Sequence, residues 1–357
     1  MRLDLSKVEK VLVIQTAYLG DLVWTTPLIQ TLGRALPSGK VDVLTIPQNA
    51  GLLEGLPEVG RLIYYDKRNR LGQFRESYRL FRLLQSKKYQ LVVSAHLSLR
   101  SAFIAWASRA GVRVGFAESA APNLYTHLVP ANPRWHFVER FLSLARALGI
   151  ENLATELRLI AAPEAFVAST RLLSPIKNTG LLAVFPGSVW ATKRYPAKKM
   201  ASAVQAAAEH LGWGVVLLGS RADISLAKEV GSELKVPCVD LTGRTKLSEL
   251  KGVVASCSLC LANDSGGLHL ATALGIPVVA IYGPTSPEQG IGPWKGRNIS
   301  IYSAVPCSPC SEHGTKTCPR GDLICMESIS SEQIAAAIIE LSGKKSAGSH
   351  KYFSLDL

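Results

Sequence analysis

The chain has 357 residues, 47% of them hydrophobic, which is long for one core and ample for two domains. That composition excludes a disordered or collagen-like polymer, and no window supplies the uncharged apolar run of a signal peptide or a spanning helix, so a cytoplasmic protein is expected. The net charge of +13 is uneven: residues 1–150 hold 20 Lys/Arg against 10 Asp/Glu, residues 151–357 hold 20 against 17, and within 61–88 nine basic side chains face only Asp66 and Glu76.

Val11 to Ile14 has the apolar pattern of a buried strand, and Gly20-Asp21 opens a helical stretch running to Leu36. Val41 to Ile46 is the next strand. Residues 71–86 predict a helix with an apolar stripe of Leu71, Phe74, Tyr78 and Phe81, and with Arg75, Arg79 and Arg82 on a neighbouring face. A strand over Gln90–Ala95 and a helix over Ser101–Ala107 follow. Pro163, Pro175 and Asn178-Thr-Gly180 then punctuate the pattern, which sets a seam between about 151 and 179 and domains over residues 1–165 and 175–345. The rhythm restarts with strands at Leu181–Phe185, Gly214–Leu218, Leu259–Ala262 and Pro277–Tyr282. Helices fall between them at Lys198–His210, Ala222–Glu233 and Leu247–Ala255. Such alternation predicts an α/β chain with two parallel sheets, binding ligands in a cleft outside the carboxyl ends of the strands. The tail, 342–357, starts polar, and its Tyr352 and Phe353 are candidates to dock on a neighbouring surface.

The most informative stretch is Leu261 to Leu270. A strand ends in Asn263-Asp264, and Ser265-Gly266-Gly267 leads into a helix. A small-residue turn opening a helix presents unpaired N–H groups and the positive end of the helix dipole, a seat for phosphate. Asp264 at its lip repels phosphate, so it either orients a sugar hydroxyl or organises the turn. The plainer reading is an ordinary helix cap. His269, one turn on, either reaches a phosphate or sugar or fills the core.

Phe185 to Pro196 leaves a strand and delays the next helix. Ser188 and Thr192 offer hydroxyls and Lys193 an ammonium to a pyrophosphate at the Ser265 turn, interactions that also stabilise a departing diphosphate. Asp223 and Thr245 lie in two further strand-end loops suited to ribose or base, although Asp223 equally suits a helix cap. The loop after the first strand lacks G-x-G-x-x-G, which argues against a nicotinamide or flavin enzyme. It ends instead in Asp21, which fits a general base or a helix N-cap. Cys307, Cys310, Cys318 and Cys325, with His313 among them, leave two readings open, a structural zinc and a loop of reduced thiols. Cys238, Cys257 and Cys260 lie in apolar segments and read as core residues.

Taken together, Leu19-Gly-Asp21, Thr25-Thr-Pro27, Pro186-Gly-Ser188, Thr192-Lys-Arg-Tyr-Pro196, Asn263-Asp-Ser-Gly266 with His269, and Tyr282-Gly283 resemble the lipopolysaccharide heptosyltransferases of glycosyltransferase family nine. The resemblance spans roughly residues 10–330 and is similar to heptosyltransferase II in kind. It implies a GT-B fold of two Rossmann-like domains, the N-terminal one binding the acceptor and the C-terminal one ADP-heptose. It implies an inverting transfer to a Kdo or heptose hydroxyl of the inner core, with no catalytic cofactor, by a cytoplasmic enzyme peripheral to the inner face of the membrane. Asp21 corresponds to the family's base, Lys193 to its phosphate-binding lysine, and Ser188, Asp264, Ser265, Gly266 and His269 to donor contacts. Asp223 falls where the family holds ribose, with a looser local match, while Gly267 departs from the larger residue usual there. Arg75, Arg79 and Arg82 would then grip the anionic groups of a lipid A-Kdo glycolipid.

Two rival readings are a non-catalytic nucleotide-sugar-binding scaffold and a GT-B nucleotide-sugar epimerase. A nucleic-acid partner is disfavoured because the basic stretch lacks an interleaved aromatic recognition motif.

Overall fold

In the computed structural model, which describes residues 4–66, 73–178, 180–343 and 350–356, the alternating apolar runs become the strands of two sheets whose pairings are all parallel. The chain divides by contacts into two units, Met1–Ile160 and Ala161–Leu357.

The first unit runs β1 (Val11–Ile14), α1 (Leu19–Trp24), α2 (Thr26–Ala35), β2 (Val41–Thr45), β3 (Val59–Tyr64) and α3 (Gln73–Lys87). It continues through β4 (Leu91–Ser94), α4 (Leu99–Ala107), β5 (Val112–Phe116), β6 (His127–Val129) and α5 (Phe137–Ala147). The sheet order is β3-β2-β1-β4-β5-β6. Val13 pairs with Val43 on one side and Val93 on the other, so the fully buried Val-Leu-Val-Ile run sits at the centre. The chain leaves β1 toward one edge and returns at β4 toward the other. The loops after β1 and β4 therefore diverge and open a crevice at the carboxyl ends of these two strands.

The second unit runs α6 (Pro163–Leu173), β7 (Leu181–Phe185), α7 (Ala197–Leu211), β8 (Gly214–Leu217), α8 (Ile224–Ser232), β9 (Cys238–Asp240) and α9 (Leu247–Ala255). Then come β10 (Leu259–Asn263), α10 (Gly266–Ala273), β11 (Val278–Ile281), β12 (Asn298–Ala304), α11 (Ile324–Glu327), α12 (Ser331–Gly343) and β13 (His350–Asp356). Its order, β13-β12-β11-β10-β7-β8-β9, places the same kind of divergence between β7 and β10. Each unit has its own apolar core, built around Leu12, Ile14 and Val92 in the first and around Val184, Leu261 and Val279 in the second.

Four expectations need correction. Cys238 is exposed on β9, whereas Cys257 and Cys260 are buried as expected. Pro163 starts α6 instead of breaking the chain, because it occupies the first helical turn, where a missing N–H costs nothing. The buried stripe of α3 is Leu80 and Leu84, one step round from the predicted one; Tyr78 is 63% exposed. Phe81 packs edge-on against Phe103 at 5.4 Å. The side chains of Leu71 and Phe74, and the basic residues Lys67, Arg68 and Arg70, lie outside the described residues, as do the side chains of Tyr352 and Phe353. Asp21 is not an N-cap. Tyr18 holds that position and Asp21 lies inside the first turn of α1. Among the described residues no helix is long and apolar enough to cross a membrane.

Candidate functional site

The loops after β7 and β10 meet at the second sheet's point of divergence, and hydrogen bonds knit them together. Asn263, the last residue of β10, donates from Nδ2 to the Pro186 carbonyl at 2.7 Å and accepts the Tyr195 N–H at 3.2 Å. Ser188 Oγ donates to the Asp264 carbonyl at 3.1 Å, and Arg194 Nε donates to the Ser188 carbonyl at 2.9 Å. Lys193 Nζ donates to Asp264 Oδ2 at 2.6 Å, with both side chains buried, and Thr285 Oγ1 donates to the same oxygen at 2.8 Å. Lys193 is therefore an ammonium fixed by the fold. Asp264 is the residue that fixes it, which favours the turn-organising reading of that carboxylate.

Ser265 adopts an extended backbone and makes no side-chain cap to α10. The first N–H groups of that helix are thus left for another partner. Gly267 is dictated by packing, since a Cβ there would stand 2.4 Å from Cγ of the Phe185 ring. The Phe185 ring fills the space a larger side chain would need. His269 is buried at 3% exposure on the same helix. A helix N-terminus beside one oriented ammonium can hold a diphosphate. Because Asp264 neutralises part of the lysine's charge, an anion at this place would be held by directed N–H groups more than by net charge.

Behind this seat lies the cysteine loop. Thr192 Oγ1 donates to the Thr315 carbonyl and accepts the Thr315 N–H, each at 2.9 Å, so its hydroxyl is committed to bracing and not aimed at a ligand. Gly314, at φ +86°, lies against Lys193; an added Cβ would stand 3.0 Å from Cγ of the lysine and 2.9 Å from Cβ of Trp190. Cys307, Cys310, Cys318 and Cys325 border one cavity of about 80 Å³ together with Thr192 and Thr315. Burial, then the neighbouring Cys307 and Cys318, raises the Cys310 thiol. Burial pushes Cys325 up to about 11, and backbone N–H groups led by Leu323 lower Cys318. Among the described residues no group of three or more His, Cys, Asp or Glu side chains is placed to hold a metal ion.

Asp223 follows β8 and lies against the loop after β7, so close that a Cβ on Gly187 would meet its Oδ1 at 2.1 Å. Its other oxygen, Oδ2, caps the local turn by accepting from Ser220 N–H at 2.8 Å and Ser220 Oγ at 2.7 Å. Thr245 lies half-buried in the loop after β9.

In the first unit, Asp21 is half-buried in the loop-helix segment after β1. Its carbonyl accepts Thr25 Oγ1 at 2.7 Å, and Gln15 Nε2 donates to that hydroxyl at 3.2 Å, fixing α1 to the strand end. Sequence reading missed a polar group in the same unit. Thr16, at the end of β1, and His96, at the end of β4, are joined between Oγ1 and Nδ1 at 2.9 Å, and Ser98 and Ser101 complete the group. The signal was partial, since Ser94-Ala-His96 ends an apolar strand run, but that this strand lies next to β1 is seen only in the sheet order. Arg75, Arg79 and Arg82 are exposed on α3, with Arg79 paired to Glu76 at 2.9 Å.

Residues 77–319 match the family model described as glycosyltransferase family 9 (heptosyltransferase). The chain is 29% identical over 298 residues to a lipooligosaccharide heptosyltransferase 2 of Haemophilus ducreyi, covering 78% of this chain and 84% of that one. A crystal structure of a family 9 glycosyl transferase from Veillonella parvula superposes with a TM-score of 0.84 at 23% identity, covering 96% and 99% of the two chains. The E. coli ADP-heptose lps heptosyltransferase II does so with a TM-score of 0.78 at 23% identity, covering 94% and 98%. The fold they share with this chain is GT-B.

Proposed function

The chain belongs to glycosyltransferase family 9 (heptosyltransferase) and is a glycosyltransferase, and from that premise we propose that it moves a heptose from ADP-heptose, with inversion, to a Kdo or heptose hydroxyl of a lipopolysaccharide inner core. The observation that carries this is the buried Lys193–Asp264 pair set beside the uncapped start of α10. It is built for a leaving diphosphate.

In this reading the second unit holds the donor. The N–H groups of Gly266 and Gly267 and the remaining donors of Lys193 take the two phosphates, while Ser188 keeps the loop in register. Asp223 and Thr245 face ribose and base, and His269 backs the helix. Thr192 acts through Thr315, holding the lysine loop in place. The first unit holds the acceptor, whose phosphates and carboxylates Arg75, Arg79 and Arg82 attract. Asp21 removes the proton from the attacking hydroxyl as the anomeric C–O bond to ADP breaks. A single displacement of this kind inverts configuration and needs one base and one stabilised leaving group. It requires Asp21 and the Lys193 seat to address one substrate during turnover.

We place the protein in the cytoplasm, in peripheral contact with the inner face of the membrane that carries its acceptor. No step is assigned to a metal. A structural zinc would need the four thiols of the cysteine loop to draw together. The direct test of function is incubation of the purified protein with ADP-heptose and defined inner-core acceptors, followed by mass analysis. The expected product is heavier by one heptose; conversion of the donor alone, with no acceptor modified, would instead mark an epimerase.

A further inference from the structure

Helix α4 is apolar on both of its faces. Ser101, Ala102, Ile104 and Ala105 pack inward. The opposite stripe, at the spacing i, i+4, i+7, is Leu99, Phe103 and Trp106, exposed by 61%, 42% and 50%. Leu97, just before the helix, is 43% exposed, and Tyr78 on the adjoining α3 is 63% exposed. The rings form a continuous ridge, since Phe103 lies 5.4 Å from Phe81 and 5.4 Å from Trp106. A soluble surface helix normally turns charge outward on this stripe. Here the charge stands beside it. Arg75, Arg79 and Arg82 of α3 are exposed against the one acidic residue of that helix, Glu76, and exposed Lys88 and Arg109 end the two helices.

We propose that the α3–α4 face docks on an anionic phospholipid bilayer, with Leu99, Phe103 and Trp106 entering the headgroup boundary and the α3 arginines meeting lipid phosphates. Charge complementarity selects this occupant over an apolar protein surface. Aromatic side chains settle at the headgroup level, and basic residues beside them gain from the negative surface potential. The ridge is all carried by two helices of one unit, so it presents itself as one surface. The inference deepens the proposed function and rests on it in one respect: a lipid-borne acceptor gives the enzyme reason to be at that surface.

The test is co-sedimentation of the full chain with vesicles containing phosphatidylglycerol, against vesicles of phosphatidylcholine alone. The wild-type protein is expected to bind the anionic vesicles, more weakly as salt rises, and a Phe103→Ser, Trp106→Ser variant to bind at least about tenfold more weakly. Leu99→Glu, at the most exposed position of the stripe, provides a second variant should the first fail to fold, and is expected to lose binding similarly. Transfer to a delipidated, water-soluble acceptor should be unchanged in both. No binding by the wild type, or equal binding by variants and wild type, would overturn the proposal. So would a wild-type dimer that these substitutions dissociate, because the ridge would then be covered by a second copy. Vesicle binding and sugar transfer are separate readouts, so failure of one reading is distinguishable from failure of the other.

Discussion

Replacing Lys193 by methionine tests the core of the donor seat. Asp264 is 5% exposed, and without the lysine its carboxylate keeps, among the described residues, only the Thr285 hydroxyl as a side-chain partner. Stranding one member of a buried pair costs about 3–5 kcal/mol, whereas replacing both by apolar residues of similar volume is often close to neutral. For a unit of this size each kcal/mol lowers the midpoint by about 2–4 °C, so Lys193→Met should lower the transition of the second unit by about 6–20 °C. Asp264→Leu alone, which strands the ammonium, should behave similarly. The double variant should recover most of the loss. Differential scanning calorimetry on the four proteins completes the cycle. Titration with ADP separates stability from function, since the double variant should be stable yet bind ADP poorly. A Lys193→Met variant within about 1 kcal/mol of wild type would refute the argument that this bridge fixes the seat.

Gly314→Ala places a Cβ against Lys193 and Trp190 at a positive φ, and should weaken ADP binding in calorimetric titration while leaving the first unit's melting unchanged. Thiol labelling followed by peptide mass analysis should modify Cys318 before Cys310 near neutral pH. A lowered pKa raises the thiolate fraction of Cys318 at any given pH below it, and a raised one reduces that of Cys310. Cys257, pushed up to about 12 by burial, should stay unlabelled until the protein unfolds. Elemental analysis of the same sample decides between free thiols and a structural zinc, and a stoichiometric metal would show that the four cysteines close around an ion.

Much of the fold was legible because buried parallel strands are near-continuous apolar runs. Val11–Ile14, Leu181–Phe185 and Leu259–Asn263 all announce themselves in this way. The edge strands did not, because β3 buries only Ile63 and carries exposed Gly60 and Arg61 side by side, and β6 and β9 have three residues each. The turn at Ser265 could be read locally, since small residues between a strand and a helix have few other uses. The pairing of Lys193 with Asp264 could not, because it joins residues 71 positions apart whose separation in space depends on the order of β7 and β10. The same limit hid Thr192, whose hydroxyl looks available in the sequence until the loop carrying Thr315 folds over it. Tyr78 was misplaced for a different reason. Residues 74, 78 and 81 and residues 77, 80 and 84 make two offset helical stripes, and only the sheet beneath decides which faces inward.

The central claim, a base in one unit acting on a nucleotide sugar held by the other, meets its most direct test in Asp21→Asn. This change keeps the shape of the side chain and removes its basicity. The account predicts unaltered ADP binding by calorimetry and a fall in kcat of about 10²–10⁴ for heptose transfer. Wild-type turnover by Asp21→Asn would contradict it.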